Sequence, residues 1–289
     1  VTVPLIDEPA ADDDPSVNYA LIPYPPPPDV RGKLRPAGIL YRSLAEAGIP
    51  EATWRPLVEA TRDEFGLHGT AYGIKVADSR VSWELYYYFH HDRRPLTTAR
   101  IERILDRAGF EHELPDLGDR SWYSLSFDLD LDVLTGRAPV RDLHLYATHH
   151  PAEPRCAISY HSTVSGTRME NVYWLFDPAR DMAAIEQYVR SSVGFDERTA
   201  LDAVLWPELL GGDHVAVAHK PLCEGIYFGG VDVDTFLWFL RRTSMPGWLV
   251  DHVAERRDGL DHLRYDVGFD YLSGPDGLEL RKAGFYGVI

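Results

Sequence analysis

The sequence predicts an α+β fold: a closed antiparallel β-barrel of about ten strands in five hairpins, surrounded by amphipathic helices. Three features predict it. From residue 69 onward apolar and polar residues alternate with a period of two, as in strands with one buried face. Clusters of Gly, Pro, Asp and Ser cut that stretch into hairpins. Segments with helical apolar periodicity stand between the hairpins, each with one stripe to lay against a sheet.

The elements follow in chain order. Residues 1–35 read as an irregular arm, with a charged turn at Asp12-Asp13-Asp14-Pro15 and a stiff polyproline stretch from Pro25 to Pro28. Residues 36–289 read as one barrel domain. Helices are expected over 36–47, ending at Gly48, and over 51–65, ending at Gly66. The first hairpin is 70–77 and 81–90 across Asp78-Ser79-Arg80; the second is 122–132 and 140–149 across Thr135-Gly136. The third is 156–163 and 169–176 across Ser165-Gly166, and the fourth is 214–220 and 224–231. The fifth is 263–272 and 278–288 across Ser273-Gly274-Pro275-Asp276-Gly277. Helices are expected between them at 96–108, at 182–193 behind an Asp181 cap, at 197–206, and at 233–242 behind Asp232. The stretches 69–149 and 214–288 repeat the order hairpin, helix, hairpin, with Ser126-Phe127-Asp128 against Gly268-Phe269-Asp270.

Strand parity gives the barrel a polar interior. Trp83, Leu85, Tyr87 and Phe89 share one face, and Glu84, Tyr86, Tyr88 and His90 share the other. Leu125, Phe127, Leu129 and Leu131 oppose Ser124, Ser126, Asp128 and Asp130. Leu143, Leu145 and Ala147 oppose His144, Tyr146 and Thr148. Tyr265, Val267 and Phe269 oppose Arg264, Asp266, Gly268 and Asp270. Helices cover the apolar face. Closing the sheet removes both exposed edges, and a ring of about ten strands is wider than its own side chains can fill. The alternative is an open sheet with one wet face.

Composition limits the partners. The 289-residue chain carries a net charge of −16, which disfavours nucleic acid and anionic membranes. Its first residues, Val1-Thr2-Val3-Pro4, do not follow the basic-then-apolar pattern expected of a secretory leader, and no apolar run is long enough for a membrane helix. Its two cysteines, Cys156 and Cys223, form no metal or disulfide framework, and a cytoplasmic setting is expected. No dinucleotide, P-loop or serine-hydrolase motif occurs. His90-His91 and His149-His150 lack metal-ligand spacing, so no metal site and no cofactor are expected; magnesium is admissible but not required. His144 and His161 stand mid-strand as candidates for proton transfer.

Five hairpins with interleaved amphipathic helices resemble the αββα-type (ABBA) aromatic prenyltransferases, over roughly residues 36–289. Val81-Ser82-Trp83-Glu84-Leu85-Tyr86 is similar to the family strand whose glutamate projects inward to hold the N–H or O–H of the aromatic acceptor. Leu134-Thr135-Gly136-Arg137, and Phe269-Asp270-Tyr271 through Leu278-Glu279-Leu280, resemble the family's hairpins. The resemblance implies prenyl transfer from an isoprenoid diphosphate, with Glu84 orienting or deprotonating the acceptor. It also implies a chamber lined by Lys and Arg. The strand cations here are Lys75, Lys220, Arg264, Arg281 and Lys282, and only one of the adjacent Arg281 and Lys282 can face inward. Asp128, Asp130, Asp266 and Asp270 would share their face.

The expected function is therefore an enzyme of specialised metabolism acting on an aromatic, indole- or phenol-like small molecule, with aromatic prenyl transfer leading. Tyr86, Tyr88, Tyr146 and Tyr227 would screen a carbocation or stack on the substrate. His90, Ser126, Asp128 and Asp270 would complete the binding surface. An acid/base condensation of an aromatic amine, Pictet–Spengler-like, would use the same chamber and Glu84 without a diphosphate. A non-catalytic ligand-binding barrel is the third possibility.

Overall fold

The computed structural model describes residues 5–11, 14, 30–67, 69–88, 94–118, 122–149, 155–274 and 277–289. Ten antiparallel strands close into a barrel in the order β1-β10-β9-β8-β7-β6-β5-β4-β3-β2. They are β1 (Thr70–Ala77), β2 (Arg80–Tyr88), β3 (Ser124–Leu129), β4 (Leu143–His149), β5 (Arg155–Thr163), β6 (Gly166–Phe176), β7 (His214–His219), β8 (Glu224–Val231), β9 (Tyr265–Gly274) and β10 (Gly277–Val288). Closure is made by β1 against β10, from Ala71 opposite Val288 to Val76 opposite Ala283. The helices are α1 (Ala37–Glu46), α2 (Glu51–Phe65), α3 (Thr98–Ala108), α4 (Leu131–Leu134), α5 (Pro178–Ser191), α6 (Val233–Arg242), α7 (Gly247–Glu255) and α8 (Arg257–Leu260). This closed meander wrapped by helices is the αββα-type barrel that the sequence resemblance implied.

The apolar strand faces point outward and form the main core with the helices. Trp83, Leu85, Leu125, Phe127, Leu143, Val267 and Phe269 are buried with Ile101, Ile104 and Leu105 of α3 and Phe236 and Leu240 of α6 in one cluster. Each such side chain contributes about 1.5–3 kcal/mol on burial. Phe236 stacks on Tyr265 at 4.1 Å and Trp206 on Phe269 at 4.3 Å, clamping α6 and the loop before β7 to β9. The β1–β2 turn carries Asp78 and Ser79 at φ 48° and 61°, the left-handed pair of a two-residue hairpin whose twist matches its strands.

Three local expectations are corrected, and one helix is new. The second hairpin's strands are shorter than 122–132 and 140–149: β3 ends at Leu129, β4 starts at Leu143, and the Asp130 side chain accepts from the N–H groups of Asp132 and Val133 and starts α4, so it leaves the lumen face. Residues 197–206 form no α-helix; they hold one short 3-10 turn at Leu201–Ala203, and a second follows at Pro207–Leu209. Helix α5 starts at Pro178 under an Asp177 cap, and Asp181 lies inside it at a kink. Helix α7, which the sequence reading passed over, buries Leu249 and Val253.

The described part of the N-terminal arm is fastened by ions. Arg35 binds Glu8 at 2.6 Å and Asp14 at 2.9 Å, Arg62 binds Glu8 at 3.0 Å, and Arg256 binds Asp7 at 2.6 Å. The polyproline stretch and His90 lie outside the described residues.

Candidate active site

The inward strand faces enclose two connected spaces. The larger, of about 530 Å³, opens at the hairpin end and is lined by Lys75, Glu84, Asp128, His144, Arg168, Glu170, Lys220, Asp270 and Lys282, with turn residues 221–223. The smaller, of about 70 Å³, lies deeper among Tyr88, Tyr123, Ala157, Leu175, His214, Ala216 and Asp266. Tyr86, Tyr146, Tyr173, Tyr227 and Tyr286 line both.

Those five tyrosines form a ring. Neighbouring centroids lie 6.1 Å apart for Tyr86–Tyr146, 6.4 Å for Tyr146–Tyr173, 6.2 Å for Tyr173–Tyr227, 6.4 Å for Tyr227–Tyr286 and 5.6 Å for Tyr286–Tyr86. Glycine makes room for it: a Cβ on Gly268 would stand 2.3 Å from the Tyr227 ring, and one on Gly73 would stand 3.0 Å from Tyr286. Burial raises the phenol pKa values of Tyr173, Tyr227 and Tyr286, so the rings stay uncharged near neutral pH.

Two ionic clusters stand above the ring. In the first, Glu84 accepts from Tyr86 Oη at 2.5 Å, from Lys75 Nζ at 2.9 Å and from Ser126 Oγ. Lys75 also donates to Asp128. His144 Nε2 lies 3.3 Å from Asp128 and its Nδ1 lies 3.1 Å from Glu170. Burial opposes the imidazole's charge, but the hydrogen bonds to Asp128 and Glu170 prevail and raise its pKa to about 10. Burial would raise the Asp128 pKa, yet Lys75 and His144 hold it far below the ordinary carboxylate range. In the second cluster, Lys220 Nζ donates to Asp270 at 2.6 Å and to Tyr227 Oη at 2.8 Å, and Lys282 binds Asp270 at 3.0 Å. Burial and the charge of Lys220 lower the pKa of Lys282.

Glu84, Asp128 and His144 offer ligand atoms within 4.8 Å of one another, the geometry of a small metal site. Lys75 already bridges the two carboxylates, and the imidazole is held protonated between two acids. The set is built around an ammonium group.

The chamber thus gathers Lys75, Glu84, Tyr86, Asp128, His144, Tyr146, Lys220, Tyr227, Asp270 and Lys282 from the sequence-based candidates, with Ser126 bound behind Glu84. Tyr88 sits in the deeper pocket. Three candidates are placed elsewhere. Arg264 precedes β9 and lines a separate hollow with Glu208, Asp213 and Asp232, because the alternation was carried past the strand's start. Arg281 binds the exposed Glu279, since a register shift between Leu280 and Lys282 leaves Lys282 as the inward residue. His161 sits opposite His144 and pairs with Asp142 at 3.2 Å, outside the chamber lining. Sequence reasoning missed Tyr173, Tyr286, Arg168 and Glu170. Tyr173 lies in the second half of β6, where residues 172–176 are apolar on both faces and parity is silent. Tyr286 was readable from parity, because Lys282, Gly284 and Tyr286 follow one another at intervals of two on the same face of β10.

No family model and no curated protein matches the sequence. Among solved structures the chain is similar to the apo form of the prenyltransferase PriB, at 12% identity and a TM-score of 0.47, covering 87% of this chain and 94% of that one. It is similar also to PriB in binary complex with product diphosphate, at 11% identity and a TM-score of 0.44 over the same shares, 87% and 94%. No described helix is long and apolar enough to cross a membrane.

Proposed function

We propose that the barrel is an aromatic prenyltransferase. One observation carries the reading: a mouth where Lys220, Lys282 and Arg168 face the Lys75–Glu84–Asp128 cluster lies above a closed ring of five tyrosines. Prenyl transfer needs those two layers together. The C–O bond of an allylic diphosphate breaks, and the diphosphate leaves with the electron pair. The allylic cation is captured by an aromatic carbon; a C–C bond forms and the ring gives up a proton. Cations placed where the leaving group gains charge stabilise the transition state. Aromatic faces attract the allylic cation within about 6 Å of their centroids. Neutral phenols do this without trapping it, as phenolates would. The deeper pocket, about 70 Å³ and largely apolar, suits a short branched tail such as dimethylallyl. Glu84, held from three sides, faces the acceptor's N–H or O–H.

A second reading, condensation of an aromatic amine without diphosphate, has one specific observation in its favour. Lys220 and Lys282 both already hold Asp270, so a diphosphate must take over their partner. Titration calorimetry with dimethylallyl diphosphate, with and without magnesium, separates the two. Prenyl transfer predicts saturable binding and, with tryptophan or a phenol added, a product heavier by one isoprene unit. Absence of binding in both conditions overturns it in favour of condensation.

A further inference from the structure

The chamber's first cluster continues past Glu84 to the solvent. Tyr86 Oη lies 2.5 Å from Glu84 Oε2, which lies 2.9 Å from Lys75 Nζ, and Lys75 in turn donates to Asp128. The far oxygen of Asp128 meets His144, and His144 meets Glu170. Exposure rises along this line, from 6% of the Glu84 side chain to 49% for Asp128. The groups come from β1, β2, β3, β4 and β6, with Glu84 directly opposite Asp128 and Ser126 opposite His144. Glu170 occupies an irregularity in β6: Met169 pairs with Tyr160 and Asn171 with Ser159, leaving Glu170 as the extra residue. Such bulges re-aim a side chain, and this one aims a carboxylate at His144.

We propose that this line is a proton exit, in which Glu84, Lys75 and Asp128 carry the acceptor's proton to the mouth and the Glu170–His144 pair is a positioning device that keeps Asp128 a releasing group. The inference rests on the reading that an aromatic acceptor loses a proton at Glu84, which prenyl transfer and condensation share. The step balances. Glu84 takes the acceptor's proton; Lys75 gives one of its own to Asp128, which frees its lone pair to take the proton from Glu84; Asp128 gives its proton to water and returns to the carboxylate. Lys75 begins and ends as an ammonium, and no oxidant or further reactant enters. His144 is no link in the chain, because an imidazolium bonded at both nitrogens has no free site to receive a proton. Its fixed charge acts on Asp128 instead. An opposite charge this close lowers a carboxyl pKa by about 1–3 units, so Asp128 does not retain the proton. Glu170 in turn keeps His144 charged. The charged or titratable groups around His144 and Asp128 are Lys75 on β1, Glu84 on β2, His161 on β5 and Arg168 and Glu170 on β6.

The test is the pH profile of kcat/KM for the full chain with dimethylallyl diphosphate and tryptophan, in the wild type, His144→Gln and Glu170→Gln. His144→Gln should move the acid limb up by at least about one pH unit, because Asp128 then protonates sooner. Glu170→Gln sits at the rim and should move the basic limb down, because His144 then loses its charge earlier. Histidine NMR on the same Glu170→Gln protein should show the His144 titration falling by at least about one pH unit. Variants with lowered rates but unmoved limbs would overturn the exit and leave a structural role. A wild type without turnover, on this pair or on tryptophan with an aldehyde, would overturn the underlying reading instead.

Discussion

The two ionic clusters face each other across one chamber and are built on the same frame, yet they carry opposite charge balance. Strands β1–β4 and β7–β10 place Lys75 and Lys220, Tyr86 and Tyr227, Asp128 and Asp270, and Tyr146 and Tyr286 in matching positions. The difference lies at the residue opposite the aspartate. Opposite Asp128 stands Glu84; opposite Asp270 stands Gly225. A Cβ on Gly225 would press to 3.0 Å from both Asp270 and Lys220, so glycine there admits the lysine–aspartate pair. The first side thus has Glu84, Asp128 and Glu170 around Lys75 and His144, while the second has Lys220 and Lys282 around Asp270. One side is suited to accept a proton, the other to accept an anion. A repeated frame has been divided into two functions by a few side chains.

The largest effect expected from breaking this division is at Glu84. Glu84→Gln should lower kcat by about 10²–10⁴-fold, the usual contribution of a positioned proton-transfer group. Lys75 keeps Asp128 as its counter-ion, so the variant should fold, and a circular-dichroism melt checks that. Full turnover by the Gln variant would make Glu84 structural.

Next comes the anion side. Lys282→Met should raise the KM for dimethylallyl diphosphate by about tenfold or more while leaving the KM for the acceptor nearly unchanged, since a charge-assisted hydrogen bond contributes about 1.5–3 kcal/mol. Equal loss for both substrates, read from steady-state kinetics, would erase the proposed division.

Acid should loosen both the barrel interior and its helix layer. Burial lowers the pKa of His214 to about 4 and, with nearby arginines, that of His252 to about 4. Both sit below the unfolded value of about 6.5. The unfolded chain therefore binds the extra protons first, and stability present above about pH 6.5 is lost as pH falls toward 4. The loss is roughly 3 kcal/mol for His214 alone. Urea midpoints from pH 7 to pH 4 measure it, and His214→Phe should flatten the slope.

The smallest effect concerns the ring. Gly268→Ala puts a methyl group into the space of the Tyr227 ring and should cost about 1–3 kcal/mol of stability. It should also raise the share of water-quenched prenyl alcohol among the products, as the gap opens beside the cation. Chromatography of the products reads that ratio.

Much of this was legible in the sequence because the physics is local. The alternation in 81–88 and 124–129 assigns Trp83, Leu85 and Phe127 outward and Glu84, Tyr86 and Ser126 inward, and the barrel places them so. Parity fails where a strand ends or is irregular. Arg264 lies one residue before β9, and Arg281 stands at a register shift, so neither reaches the chamber. Glu170 escaped because only the irregularity in β6 turns it toward His144. The charge balance of the two clusters was hidden for another reason. Pairing Lys75 with Glu84 and Asp128, or Lys282 with Asp270, depends on which strands become neighbours, and composition does not contain that.

A crystal structure of the chain with the unreactive thiolo analogue of dimethylallyl diphosphate tests the division between the two clusters most directly. The diphosphate should lie on Lys220 and Lys282, with the hydrocarbon tail crossing the tyrosine ring and the Glu84–Lys75–Asp128 contacts intact. A diphosphate bound to Lys75 with Glu84 displaced, or bound outside the barrel, would contradict it.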